Sequence, residues 1–336
     1  MILVTGATGR LGNKIVRLLR AARFEVRCLV RPGSEYYWLN DTGASYFFSD
    51  LRDPAGLKRA LKGVDLVIHA ANVRLESTDN HHGNVTHEGT VNLIAAAKHH
   101  KIKRLVMVSC LGVERPTTCP AFTNLNRAEE ALISSGLPYS IVRCGPFVDE
   151  LADVAKELRD GQNPSRVGRR DTPIAPLARR DAALVAVSAL DHSAALGHVL
   201  SLVGPDQLTL GEALDQACAA AGQSPSYRLI DGVAAQALIR ASRVAGRRWP
   251  HWFQRWMVLW GEDLTLDPGP LAAKLGIPLT PYTQALAECL AEEDLSKDPE
   301  ARDTKVVHRQ FQATVYEPGE ILWSDLPEGP LRADEP

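Results

Sequence analysis

Long apolar runs are missing from this 336-residue chain, and so is any imbalance of charge, with 38 Lys and Arg against 40 Asp and Glu. No uninterrupted apolar stretch approaches the roughly 20 residues of a membrane-spanning helix, so a spanning protein is not expected. A formal net charge of −2 without a long basic block lacks the footprint of a nucleic-acid binder, and no nucleic-acid partner is expected. Cysteine is sparse. Cys28, Cys110, Cys119, Cys144, Cys218 and Cys289 form no C-x-x-C pair, a pattern of reduced thiols in a cytoplasmic protein rather than of a disulfide framework. The ten histidines, some paired as His81 with His82 and His99 with His100, lack the close Cys or carboxylate companions of a zinc site, so no metal is expected. No repeat of roughly 20 to 50 residues recurs, which excludes a solenoid. An apolar run that begins at Ile2 leaves no room for a signal peptide, in keeping with a soluble cytoplasmic protein.

What is present is an alternation. Short apolar runs over 2–5, 25–30, 45–48, 65–69, 104–108 and 139–143 are separated by amphipathic stretches over 10–22, 54–61, 84–99 and 122–135. Strand, helix, strand at this spacing predicts an α/β fold, a Rossmann-like doubly wound parallel sheet with right-handed crossovers. After about residue 150 the alternation loosens. A strand is expected to return near 198–203, Thr209 and Glu212 form a capping box, and Thr280 with Pro281 opens a last helix. The expected organisation is a dinucleotide-binding domain over 1–150, a smaller and mainly helical region over 151–295, and an extended polar tail over 296–336.

The first helix follows the loop GATGRLG, in which Gly6, Thr8, Gly9, Arg10, Leu11 and Gly12 stand between a strand and a helix pattern. The first glycine allows a tight turn, the second lets backbone approach a pyrophosphate, and the third lets the helix pack on the sheet. The helix N-terminus then faces the phosphates. A site for NAD would place Asp or Glu about twenty residues past the loop, to bond the ribose 2′-hydroxyl. Arg31 stands there instead, and Arg10 lies in the loop, so NADP(H) is favoured over NAD(H); the plainer reading of Arg31 is a solvated strand-end residue. Asp50 and Leu51 would sit beside the adenine, and Ala70, Ala71 and Asn72 would border the nicotinamide half.

These residues resemble the short-chain dehydrogenase/reductase superfamily in its extended and atypical branches. The glycine spacing, the Asp50–Leu51 pair, VDLVIHAA, NVTHEGTVNLIAAAKHHKIKRLVMVSCLG and SSGLPYSIVRCGPF carry the likeness over about residues 1–150, and GPDQLTLGEAL with KLGIPLTPYTQAL extends it more loosely. Within the superfamily the chain looks most like the NmrA-like atypical group. That group includes NADP-linked reductases of aromatic and quinone-like substrates, redox-sensing regulators, a photosystem II assembly factor and an accessory subunit of respiratory complex I. The resemblance implies a catalytic serine, matched by Ser109, and a Tyr-x-x-x-Lys dyad on the helix after the fifth strand. A tyrosine needs a neighbouring cation before it can exchange a proton near neutral pH. Aligned on RAEEAL, Thr123 stands where the tyrosine belongs and Arg127 where the lysine belongs. Between Arg104 and Ala155 there is no lysine, and Tyr139 lies in the sixth strand, so no shift of register restores the dyad. Arg127 keeps a cation for the nicotinamide ribose. Ser109, Cys110, Thr123 and Cys144 are the remaining proton donors, and clustered thiols at Cys110, Cys119 and Cys144 are weighed against ordinary buried ones.

The stretch RRWPHWFQRWMVLW, residues 247–260, holds four of six tryptophans. Trp249, Phe253, Trp256 and Trp260 share a helical face. Core packing, an aromatic wall for a flat ligand, and peripheral contact with a membrane or partner helix through Arg243, Arg247, Arg248 and Arg255 all fit. Two functions stand: an NADP(H)-binding accessory, assembly or redox-sensing protein that meets a protein partner, or an NADP-dependent oxidoreductase of an apolar, aromatic or quinone-like small molecule. A nucleotide-sugar epimerase ranks third, because that chemistry also leans on the missing tyrosine.

Overall fold

The computed structural model describes residues 1–73, 76–115, 117, 119–232, 234–235, 237 and 275–291. The first half runs β1 (Ile2–Thr5), α1 (Arg10–Ala21), β2 (Val26–Val30), β3 (Ser45–Phe48), α2 (Pro54–Ala60), β4 (Leu66–His69), α3 (Glu88–His99), β5 (Arg104–Cys110), α4 (Pro120–Ile133) and β6 (Tyr139–Cys144). A π-helical turn, His82–His87, leads into α3. The second half adds α5 (Val148–Arg159), β7 (Ser165–Val167), β8 (Pro173–Ile174), α6 (Arg179–Ser188), β9 (Val199–Leu202), β10 (Leu208–Thr209), α7 (Leu210–Ala220), β11 (Arg228–Ile230) and α8 (Tyr282–Ala291).

Seven strands form one sheet in the order β3-β2-β1-β4-β5-β6-β9, and every pair in it is parallel. The expected Rossmann-like fold is present, with the returning strand, β9, beside β6. β1 is buried at all four residues, because helices cover both faces, and a strand buried on both sides reads as a continuous apolar run. The edge strand β3 is buried nowhere along its length. On one face α2, α3, α4, α5, α7 and α8 enclose a core that includes Leu57, Leu93, Phe122, Leu151, Leu214 and Tyr282. On the other, α1 and α6 pack through Ile15, Leu19, Ala182 and Val185.

Strand order reverses between β1 and β4, the switch point at whose carboxyl edge open α/β sheets bind ligands. Thr5 lies there in register with Leu29 on one side and His69 on the other.

The capping box at α7 forms as expected: the Thr209 hydroxyl accepts from the Glu212 amide at 3.2 Å, and Glu212 Oε2 accepts from the Thr209 amide at 2.8 Å. At α8 the chemistry differs from the sequence reading. The Thr280 amide and hydroxyl donate to Asp181 of α6 at 2.7 and 2.8 Å, and Asp206 accepts from the Tyr282 amide at 2.6 Å. A carboxylate from a distant loop thus does what the local threonine was expected to do, and the threonine ties α8 to α6. The stretch over 247–260 and the tail over 296–336 lie outside the described residues.

Candidate functional site

The glycine loop occupies the switch point, and its three glycines answer to different neighbours. Gly6 has φ +71°, and a Cβ there would stand 2.6 Å from the Ala70 carbonyl carbon. A Cβ at Gly12 would stand 2.1 Å from the Gly6 carbonyl oxygen. Both positions are closed to side chains by the protein itself. Gly9 is exposed, and its Cβ would meet only the Gly6 carbonyl oxygen at 3.3 Å. The fold itself leaves more room at position 9 than at positions 6 and 12. Gly9 also caps α1 without a side-chain hydrogen bond, and the first turn has no acidic residue. The amides of the α1 N-terminus are therefore left to an anion. A pyrophosphate fits this loop, with Thr8 and Leu11 half-buried on either side of Gly9 and Arg10.

Beneath the loop runs a buried polar chain that the sequence reading missed. Thr90 donates to the Thr86 carbonyl at 2.5 Å, so its hydroxyl oxygen accepts from His69 Nε2 at 2.9 Å. His69 Nδ1 then accepts from the Thr5 hydroxyl at 2.7 Å. Both ring nitrogens are hydrogen-bonded in the neutral imidazole. Burial pushes its pKa down to about 4. Nearby, Thr86 donates to Asn72 Oδ1 at 2.8 Å, which also accepts from the Val73 amide at 2.8 Å. The side-chain oxygen of Asn72 is thus committed to protein donors.

At the ends of β2 and β3 stand Arg31 and Arg52. Arg10 turns to α5, where its guanidinium meets Asp153 at 2.8 Å. Arg31 stays at the end of β2 and donates to Asn80 Oδ1 at 2.9 Å. Its companion is Arg52, which donates to Asp50 through Nε at 2.8 Å and Nη2 at 2.6 Å, and to the Asp79 carbonyl through Nη1. These hydrogen bonds hold the Asp50 carboxyl below its usual range, and the Arg31 charge adds to the effect. Leu51 is buried against Gly89, and its carbonyl accepts from Asn92 at 3.1 Å. Arg52 was legible only as the second residue after Asp50, and nothing in its spacing distinguished it from a solvated arginine.

At the carboxyl end of β5, Ser109 is buried, and its Oγ has no hydrogen-bond partner among the described residues. Thr123 of α4 is exposed, and its hydroxyl donates to the Cys119 carbonyl of its own helix at 3.1 Å. Arg127, one turn on, is exposed; burial and then the Arg127 charge push the His87 imidazole down. Cys110 and Cys144 are register partners at the ends of β5 and β6. Burial raises the Cys119 thiol, with Cys110 and Glu76 adding to the effect, so this thiol stays protonated. Among the described residues no group of His, Cys, Asp and Glu could hold a metal ion, and no described helix is long and apolar enough to cross a membrane.

A family model described as NAD(P)H-binding matches residues 6–193, which include the glycine loop, β2 to β6 and α6. The chain belongs to the NAD(P)H-binding family. It is a member of the NmrA-like, atypical short-chain dehydrogenase/reductase group, as its motifs implied. It is 29% identical to an NAD(P)H azoreductase of Xenophilus azovorans over 228 residues, 68% of this chain and 76% of that one. It is 35% identical to the photosystem II assembly factor Ycf39 of Cyanophora paradoxa over 162 residues, 48% of this chain and only 50% of the factor. In fold it matches the NADPH complex of the quinone oxidoreductase QOR2 of Escherichia coli with a TM-score of 0.66, at 22% identity over 85% of this chain and 99% of that one.

Proposed function

We propose that this chain binds NADP(H) and holds it without the usual proton-transfer dyad, as an accessory, assembly or redox-sensing protein. In this reading Gly6, Thr8, Gly9, Arg10, Leu11 and Gly12 receive the pyrophosphate, and Arg31 faces the 2′-phosphate. Asp50 and Leu51 border the adenine; Ala70, Ala71, Asn72, Ser109 and Arg127 border the nicotinamide half. Residues 1–150 hold the cofactor, and 151–295 meet the partner or substrate. The observation that carries it is Thr123. At the position of the family's acid stands a hydroxyl already donated to its own helix, on a group too weakly acidic to replace a tyrosine. The resemblance to an assembly factor supports the same reading.

A second reading is an NADP-dependent reductase of an apolar, aromatic or quinone-like molecule. It is favoured by the Ser109 hydroxyl, buried and unpartnered where a substrate oxygen would need a donor, and by the azoreductase relative. A bound nicotinamide would supply the hydride; Ser109 would orient the acceptor, and Arg127 would hold the ribose. Titrating the purified chain with NADPH and NADH, then screening quinones, enones and azo dyes for NADPH oxidation, separates the two. Tight binding with no turnover across the panel supports the accessory reading. Turnover that is lost in Ser109→Ala supports the reductase.

A further inference from the structure

Two guanidiniums converge on one turn of backbone at the adenosine end of the site. Arg31 reaches Asn80 Oδ1 at 2.9 Å, and Arg52 reaches the carbonyl of the preceding residue, Asp79. The turn is closed by the Ser77 amide on the Asn80 carbonyl at 2.8 Å, and Asn84 Nδ2 holds the same Asp79 carbonyl at 3.1 Å. Asp50 grips Arg52 by its Nε and Nη2 edge, which fixes the guanidinium plane and turns the Nη1 edge toward Arg31's target. The acceptors on the turn are uncharged oxygens, one from a peptide and one from a side-chain amide. A phosphate would offer oxygens of the same size carrying about −1.5 to −2 charge, and charge-assisted hydrogen bonds are roughly twice as strong as neutral ones.

We propose that Arg52 is a second ligand for the cofactor's 2′-phosphate, oriented by Asp50, and that Asp79 O and Asn80 Oδ1 hold the two guanidiniums in place until that phosphate displaces them. The inference rests on the NADP(H) reading above and names a specificity residue which that reading lacks. Asp50 then acts as a positioning residue, aligning Arg52 rather than bonding the adenine.

The test uses the full chain and two probes, adenosine 2′,5′-bisphosphate and 5′-AMP, with binding measured by calorimetry. The wild type should bind the bisphosphate more tightly. Arg52→Gln should lose about tenfold or more for the bisphosphate and less than about twofold for 5′-AMP, as expected for one charged hydrogen-bonding group. Arg52→Lys, which keeps the charge without the fork, should fall between. Asn80→Ala removes a placeholder and should tighten the bisphosphate several-fold. A wild type that does not distinguish the probes overturns the NADP(H) preference and this inference with it. Discrimination that survives Arg52→Gln, or an equal loss for both probes, overturns the inference alone and leaves the preference to Arg31. Weaker binding in Asn80→Ala would make Asn80 a ligand and overturn the displacement.

Discussion

Protonating His69 should loosen the floor of the cofactor loop, and the size of the effect follows from its surroundings. Its imidazole is neutral, buried, and bonded at both nitrogens, to Thr5 and Thr90. Its pKa falls from 6.5 to about 4. A depressed histidine pKa means that the unfolded chain takes up the proton first. Stability from this group is therefore complete above pH 6.5 and declines as pH falls toward 4. One pKa unit corresponds to about 1.36 kcal/mol, so the loss is about 2 kcal/mol at pH 5 and saturates near roughly 3 kcal/mol below pH 4. His82 and His87 are also shifted down by burial and contribute with the same sign, so the wild type alone does not isolate His69. Urea denaturation of the wild type and His69→Gln at pH 7.5 and pH 5 does. The variant should be less stable at pH 7.5 by roughly 1–3 kcal/mol, from hydrogen bonds left unmade. Between the two pH values it should lose about 2 kcal/mol less than the wild type. Equal losses in the two proteins would refute the claim that the buried imidazole is held neutral.

The glycine loop gives a prediction that separates folding from binding. Gly12→Ala forces a Cβ to 2.1 Å from a carbonyl oxygen, so it should lower the melting temperature as well as abolish NADPH binding. Gly9→Ala meets only a 3.3 Å contact, so its melting temperature should stay within a few degrees while NADPH-induced stabilisation disappears; retained binding would remove Gly9 from the pyrophosphate site. Thr209→Ala deletes the half of the reciprocal cap on α7 that the threonine hydroxyl supplies, leaves the Thr209 amide on Glu212, and should cost about 1 kcal/mol in urea denaturation, with no change in NADPH affinity.

The fold was open to reading because its signals are local. Apolar runs of four to seven residues, such as Ile2–Thr5 and Arg104–Cys110, are strands whose residues are buried on both faces. The glycine motif was legible for the same reason, since turn, cap and helix start are adjacent in the chain. The contacts that decide the site are not adjacent. Arg10 stands in the glycine loop, and the partner of its guanidinium, Asp153, is 143 residues away. Arg52 had no motif of its own and acquires meaning through Asp79 and Asn80, which β4 and the turn before α3 bring across the sheet edge.

Sequence alone therefore determined the order of strands and helices through β6, the place of the glycine loop, and the loss of the tyrosine and lysine, because each depends on neighbours within one turn or one strand. Only the tertiary structure decided that Ser109 keeps its hydroxyl unpartnered among the described residues, and that a neutral histidine lies under the glycines. Charge, burial and hydrogen-bond partners at those positions are set by segments far apart in the chain, and they exist only once the sheet has brought the carboxyl ends of its strands together.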